Sequence, residues 1–284
     1  MFNVNKNEIK ISLKITPKSP LLIKASDDVQ EKGNLIQWNT TAGSKEAFIP
    51  GSTLKGMLKD IFYSIWYDHF NLEEDKFKEI PEGKYKNDDK VYDYEDYMED
   101  ILKEKGEDVF LEKSLKISKL FGAKNLKSRL HIDDAYFKKH GKEEKGPKVE
   151  KEEPKSITPI DRFTGGAVVP LQFEYTTDAF VTELTIKNIE KHELKALLFA
   201  IRDSIDGDVR IGSSKTRGFG EIELSIESME YKEFKNSSLT LDSSNFNLDT
   251  EKSLKLGEDY LYKVYKLKEN EPLKNFEILK KVVG

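Results

Sequence analysis

The sequence contains no cysteine. That single absence removes disulfides, thiolate nucleophiles and cysteine-based zinc sites together. Histidine is nearly as scarce. His69, His131, His140 and His192 are scattered without metal-ligand spacing, so each is read as a surface or packing residue, and no metal and no cofactor is expected. No apolar run is long enough for a membrane span, and no signal-peptide pattern is present, which leaves the cytoplasm as the expected location with no membrane partner. Excess positive charge is missing too, the net charge being −5. A negative total does not exclude a nucleic-acid partner, because phosphate contacts depend on a local basic groove.

What is present is surface charge, 35% of residues, beside an apolar fraction of 37% that over 284 residues can bury a sizeable core. Ile9, Ile11, Leu13 and Ile15 alternate with polar residues as a strand with one buried face, and Phe180, Thr182, Leu184 and Ile186 do the same later. Leu54, Met57, Leu58, Ile61 and Ile65 follow helical spacing from a start near Ser52, while Leu194, Leu197, Leu198, Ile201 and Ile205 line a second helix. A strand over 130–137 and a last one with Phe219, Ile222, Leu224 and Ile226 complete a β-α-β-β-α-β order. That order predicts an α+β fold of the ferredoxin-like or RNA-recognition type, an antiparallel sheet backed by two helices.

Residues 1–228 are read as this domain, with insertions at 71–108 and 138–155, and residues 229–284 as a C-terminal extension packed on it. The first insertion, acidic and rich in tyrosine, is read as a solvated excursion. The second, a lysine and glutamate run, is read as a mobile loop. In the extension, Tyr260, Tyr262, Val264, Tyr265 and Leu267 describe a late strand with Lys263, Lys266 and Lys268 interleaved. Its aromatics are assigned to cross-strand or subunit packing ahead of RNA stacking.

Two short stretches carry chemistry. Ile49-Pro50-Gly51-Ser52-Thr53-Leu54-Lys55-Gly56 runs a tight turn into a helix whose first turn bears Ser52, Thr53 and Lys55. Free N–H groups, the helix dipole and two hydroxyls there suit an oxyanion, or Ser52 is simply an N-cap with Lys55 in solvent. Residues 211–222 form a glycine-rich loop in which Ser213, Ser214, Lys215 and Arg217 supply hydroxyls and charge, and Phe219 a stacking face. Gly212, Gly218 and Gly220 permit close approach and positive φ. The competing reading is a hairpin turn with solvated cations.

Two further stretches share a register with these. They are Leu120-Phe121-Gly122 followed by Ser128-Arg129-Leu130-His131-Ile132-Asp133-Asp134-Ala135, and Ile160-Asp161-Arg162-Phe163-Thr164-Gly165-Gly166-Ala167. With all four in this order, the chain resembles the RAMP superfamily of CRISPR-associated proteins. The resemblance covers most of residues 7–228. It implies a guide-RNA-binding backbone subunit of a type III effector ribonucleoprotein in antiviral defence, with guide RNA, target RNA and other CRISPR-associated subunits as partners.

Under the resemblance the two loops lie against the guide backbone, making Ser52, Thr53, Lys55, Ser213, Ser214, Lys215 and Arg217 RNA-binding candidates. Arg129 is another, with an ion pair to Asp133 or Asp134 as the equal alternative. Arg162 and Phe163 belong near a thumb-like hairpin that inserts between guide and target. RNA-cutting members of the superfamily carry an aspartate a few positions after a glycine in the loop before the Ile-Pro-Gly-Ser motif. Here Gly33 is followed by Asn34, Leu35, Ile36, Gln37 and Trp38, so no catalytic residue is expected. Asp27 and Asp28 are the remaining carboxylates earlier in that loop. The alternatives are a RAMP endoribonuclease using one of them and a nucleotide-binding enzyme, the latter opposed by the lack of Walker A or Rossmann spacing.

Overall fold

A computed structural model describes residues 5–23, 37–39, 45–69, 79–80, 84–87, 90–137, 155–158, 163, 166, 171–235, 246–256 and 259–267. Its main elements are strand β1 (Asn7–Pro17), helices α1 (Gly51–His69), α2 (Tyr94–Lys113) and α3 (Lys116–Phe121), short strands β2 (Leu130–Ile132) and β3 (Tyr136–Phe137), strand β4 (Phe180–Lys187), helix α4 (Lys191–Ile205) and strand β5 (Ile222–Phe234). Three strands of the C-terminal part follow, β6 (Phe246–Leu248), β7 (Leu254–Leu256) and β8 (Asp259–Leu267). Every pairing in the sheet is antiparallel. β1 lies between β5 and β4, and β4 lies beside β2, which is the order β5–β1–β4–β2 of a ferredoxin-like sheet. The expected fold class is therefore the observed one.

The core forms on one face of this sheet because the strands obey the two-residue period. Ile9, Ile11, Leu13 and Ile15 of β1 are buried beside Phe180, Leu184 and Ile186 of β4. Leu54, Leu58 and Phe62 of α1 and Leu194, Leu197 and Ile201 of α4 cover them. Ile205, the last residue of α4, is exposed and lies outside the apolar stripe expected for it. A capping box starts α4, the Glu190 N–H donating to Glu193 at 2.9 Å.

β5 is longer than its sequence pattern suggests. Ile222, Leu224 and Ile226 face the core, and then the register slips by one residue opposite Ser12 and Leu13, so that Met229 and Tyr231 take over the same face. An extra residue in one strand is a β-bulge. Beyond it β5 continues to Phe234 and carries β8 on its free edge, with Tyr231 opposite Tyr265. The late strand expected over Tyr260 to Leu267 is thus present and belongs to the main sheet, with β6 and β7 on its outer edge.

The described part of the insertion read as a solvated excursion is regular structure. After strands Lys84–Asn87 and Lys90–Asp93, α2 runs to Lys113 with a break at Gly106, where φ is 82°. Met98, Ile101 and Phe110 are buried against Leu126 as a core of their own. Of the 138–155 loop, residues 138–154 lie outside the described residues, and Lys155 begins a short strand paired with Leu171–Phe173. Among the described residues no helix is long and apolar enough to cross a membrane.

Replacing Phe110 by Ala tests the second core. Truncating a buried phenylalanine costs about 3–5 kcal/mol, whereas a change in a solvated segment stays within about 0.5 kcal/mol. Denaturant unfolding of the Phe110→Ala variant is expected to show the larger loss.

Candidate nucleic-acid interface

The start of α1 is built by its neighbours. Ile49 and Ala135 exchange backbone hydrogen bonds of 3.0 and 2.8 Å, which draws the Ile-Pro-Gly-Ser segment against the chain leaving β2. Gly51 sits so close to this chain that a Cβ would collide with the Ile132 carbonyl oxygen. Its N–H donates to Asp134 Oδ1 at 2.7 Å, and the N–H groups of Thr53 and Leu54 donate to the Pro50 carbonyl. The helix start therefore already holds a carboxylate, in the place where a dipole and free N–H groups suit an anion. Ser52 remains exposed on the outer side of the first turn, with Thr53 half-buried beside it. Lys55 is half-buried and donates to Ser128 Oγ at 2.8 Å. Burial pulls the Lys55 ammonium below the usual lysine range, and Lys59 adds to the shift.

The glycine-rich loop is fixed from beneath. Ile211 and Gly220 are joined by a 2.8 Å hydrogen bond, the Gly220 N–H reaches the Pro20 carbonyl at 2.9 Å, and the Ser213 N–H reaches the Leu22 carbonyl at 2.8 Å. Gly212 and Gly220 have φ of 85° and 83°, and a Cβ at either would strike a carbonyl oxygen, of Leu22 and Ile211 respectively. Gly218 also has positive φ but open space around it. Close approach is thus to the protein's own backbone, at two of the three glycines. Above this base Lys215–Arg217 make one 3₁₀ turn, entered through Ser214 at φ 60°, with Lys215 and Arg217 exposed. Arg210 donates to the Lys215 carbonyl at 2.9 Å and brings a third cation to the turn, with Glu221 3.8 Å from its guanidinium.

Phe219 does not offer a stacking face. It is fully buried, packed with Leu22 and Ala47, because the turns at Gly218 and Gly220 direct its ring inward. That contact joins the glycine-rich loop to the segment that enters α1, four residues before Gly51.

The family model described as the RAMP superfamily matches residues 14–223, a span that contains both loops and the other two motifs. The chain belongs to the RAMP superfamily. A chain of the solved structure titled "Type IV-B CRISPR Complex" superposes on this RAMP protein with a TM-score of 0.51 at 12% identity, over 76% of this chain and 90% of that one. At such identity the likeness is one of fold. No curated protein sequence matches.

Arg129 of this RAMP protein is buried, and its ion-pair partner is Glu193 of α4, not the neighbouring Asp133 or Asp134. It is 7% exposed, and its guanidinium grips the Glu193 carboxylate with both terminal nitrogens. Its remaining donors reach the Lys119 carbonyl at 3.0 Å and the Asn188 carbonyl at 2.5 Å. Burial pushes the Glu193 carboxyl up, and Arg129 and the Glu190 N–H oppose that shift. Asp133 instead faces His131 at 2.9 Å, and Asp134 caps α1.

Phe163 is exposed on a turn, whereas Arg162, Asp27 and Asp28 lie outside the described residues. The sequence reading missed Arg210 and Asp134. The first was detectable as a cation one residue before the glycine-rich loop; the second had no local signal, because its partner lies 83 residues away.

Three variants separate these roles in one denaturant series. Arg129→Met leaves a buried carboxylate unpaired and is expected to cost about 3–5 kcal/mol. Gly218→Ala should cost only the left-handed backbone, about 1–2 kcal/mol, whereas Gly220→Ala adds an overlap worth about 1–3 kcal/mol more. Equal losses at the two glycines would show that the Ile211 contact does not shape the loop.

Proposed function

We propose that this chain is a guide-RNA-binding backbone subunit of a type III CRISPR ribonucleoprotein effector, acting in cytoplasmic antiviral defence beside other CRISPR-associated subunits. The observation that carries the reading is the exposed Lys215–Arg217 turn, held on backbone contacts inside a RAMP domain. Cations on a fixed turn contact phosphates without reading bases, which suits a subunit that accepts any guide sequence. A module of this size covers only a few nucleotides, so a whole guide needs repeated or related neighbours. The order of the four motifs supports the type III assignment, and the fold likeness to a chain of a CRISPR complex supports the coarser one. The residues after Gly33 support a subunit that does not cut RNA, since in-line attack by a 2′-hydroxyl depends on positioned acid–base help.

Co-expression with a CRISPR array and partner subunits is the test. A large ribonucleoprotein holding RNA of discrete length is expected; an RNA-free monomer overturns the reading. In the assembled complex, Lys215→Ala with Arg217→Ala should lower the log–log salt slope of RNA binding by about 1.4, at about 0.7 per phosphate, without lowering the melting temperature. Asp27→Ala and Asp28→Ala are expected to leave any target cutting unchanged. Loss of cutting with binding retained would establish the endoribonuclease instead.

A further inference from the structure

The glycine-rich turn stands on a short antiparallel ladder. The Ile211 N–H donates to the Gly220 carbonyl at 2.8 Å and the Ile222 N–H to the Val209 carbonyl at 3.2 Å, which leaves Arg210 and Glu221 facing each other between these bonds. Side chains come closest at such a pair. Glu221 is itself fixed to the segment after β1, its N–H donating to Ser19 Oγ at 2.9 Å and its carbonyl accepting from the Lys18 N–H at 2.8 Å. One terminal nitrogen of Arg210 lies 3.8 Å from the Glu221 carboxylate, and the other donates to the Lys215 carbonyl at 2.9 Å. A single guanidinium therefore ties the cationic turn to the ladder beneath it.

The turn needs such a tie. Ser214 enters it at φ 60°, a left-handed backbone that is unfavourable for a residue with a Cβ. Gly218 leaves it at φ 80°, with nothing within 4 Å of where a Cβ would stand. A lone 3₁₀ turn has poor hydrogen-bond geometry, and the like charges of Lys215 and Arg217 repel each other within it. Inside the turn the Arg217 N–H donates to the Ser214 carbonyl at 2.9 Å. The bond from Arg210 reaches it from outside and is charge-assisted, hence stronger than a neutral one. Glu221 offsets the third positive charge that this bond brings close.

We infer that Arg210 is a positioning residue, which holds Lys215 and Arg217 in their phosphate-binding arrangement before RNA arrives and does not itself contact the strand. The inference rests on the proposed function for its ligand. Both ends of the Arg210 guanidinium are directed at oxygens of the protein, and a phosphate placed on it would meet the Glu221 carboxylate. Lys215 and Arg217 project from the turn without that obstacle. Ordering the turn in advance removes part of the entropy cost of binding. Arginine suits the task because its planar fork addresses two partners at once, whereas a lysine ammonium of equal charge is a single point.

The test has one arm without RNA and one with it, each applied to the parent, Arg210→Met and Arg210→Lys. In the first, the full chain is digested briefly with trypsin and the rates of cleavage after Lys215 and Arg217 are read by mass spectrometry against cleavage elsewhere. A protease cuts a segment when it opens locally, so Arg210→Met should be cut faster at these two bonds alone, with Arg210→Lys in between. In the second arm, RNA release from the assembled complex is followed over a salt series. Arg210→Met should weaken binding by roughly 2- to 12-fold for each side chain left to be ordered, with the log–log slope unchanged. A slope lowered by about 0.7 would make Arg210 a phosphate ligand and overturn the inference. Parental cleavage rates overturn it, as does parental affinity, and so does faster cleavage throughout the chain with a lower melting temperature, the mark of a merely structural arginine. When the parent complex holds RNA and Arg210→Met behaves like it, the inference alone falls; when the parent complex holds none, the proposed function falls and the inference with it.

Discussion

The carbonyl oxygens of Leu22, Ile132 and Ile211 press against glycines, at Gly212, Gly51 and Gly220 in turn, with no room for a single methyl group. Both candidate loops depend on this tight backbone packing. It brings the entry to α1 against the chain after β2, and it seats the glycine-rich loop on the segment that follows β1. Phe219 then fills the space between the two loops with Leu22 and Ala47. The exposed cations ride on this base and contribute little to holding it, which is why charge and shape separate so cleanly here.

Much of the fold was legible because it follows simple periods. β1 and β4 alternate, α1 and α4 repeat at helical spacing, and their order suffices for a ferredoxin-like sheet. What escaped was where a period is interrupted or a partner is remote. The bulge in β5 shifts its apolar face by one residue, hiding the continuity from Ile226 to Met229. Gly106 breaks the helical pattern of α2, whose buried residues are few among acidic ones. Arg129 has carboxylates a few positions along the chain, yet its partner is 64 residues away, on a helix that the strand order brings above it. Phe219 fits an exposed loop and a buried cluster equally well until the turns on either side of it are known.

Charge is distributed in the same manner. An acidic chain can carry basic surfaces where carboxylates are matched pairwise, as Glu183, Glu223, Glu230 and Asp249 are by Lys10, Lys18, Lys252 and Lys266. Matched pairs contribute little to the field at a distance. The exposed cations of the glycine-rich turn, Lys215 and Arg217, stand apart from these pairs. Net charge describes solubility better than it describes partners.

Arg129 and Glu193 have a mechanical side. The arginine belongs to the first β-α-β half, ahead of β2, and the glutamate to the second, in the first turn of α4. A hinge between these halves would have to pull apart two charges with no water to receive them, a far larger cost than sliding apolar surfaces past one another. The two halves are thereby welded into one stiff block. If copies of such a block follow a curved strand, the curvature has to be taken up between blocks and in their loops, because the blocks themselves do not bend.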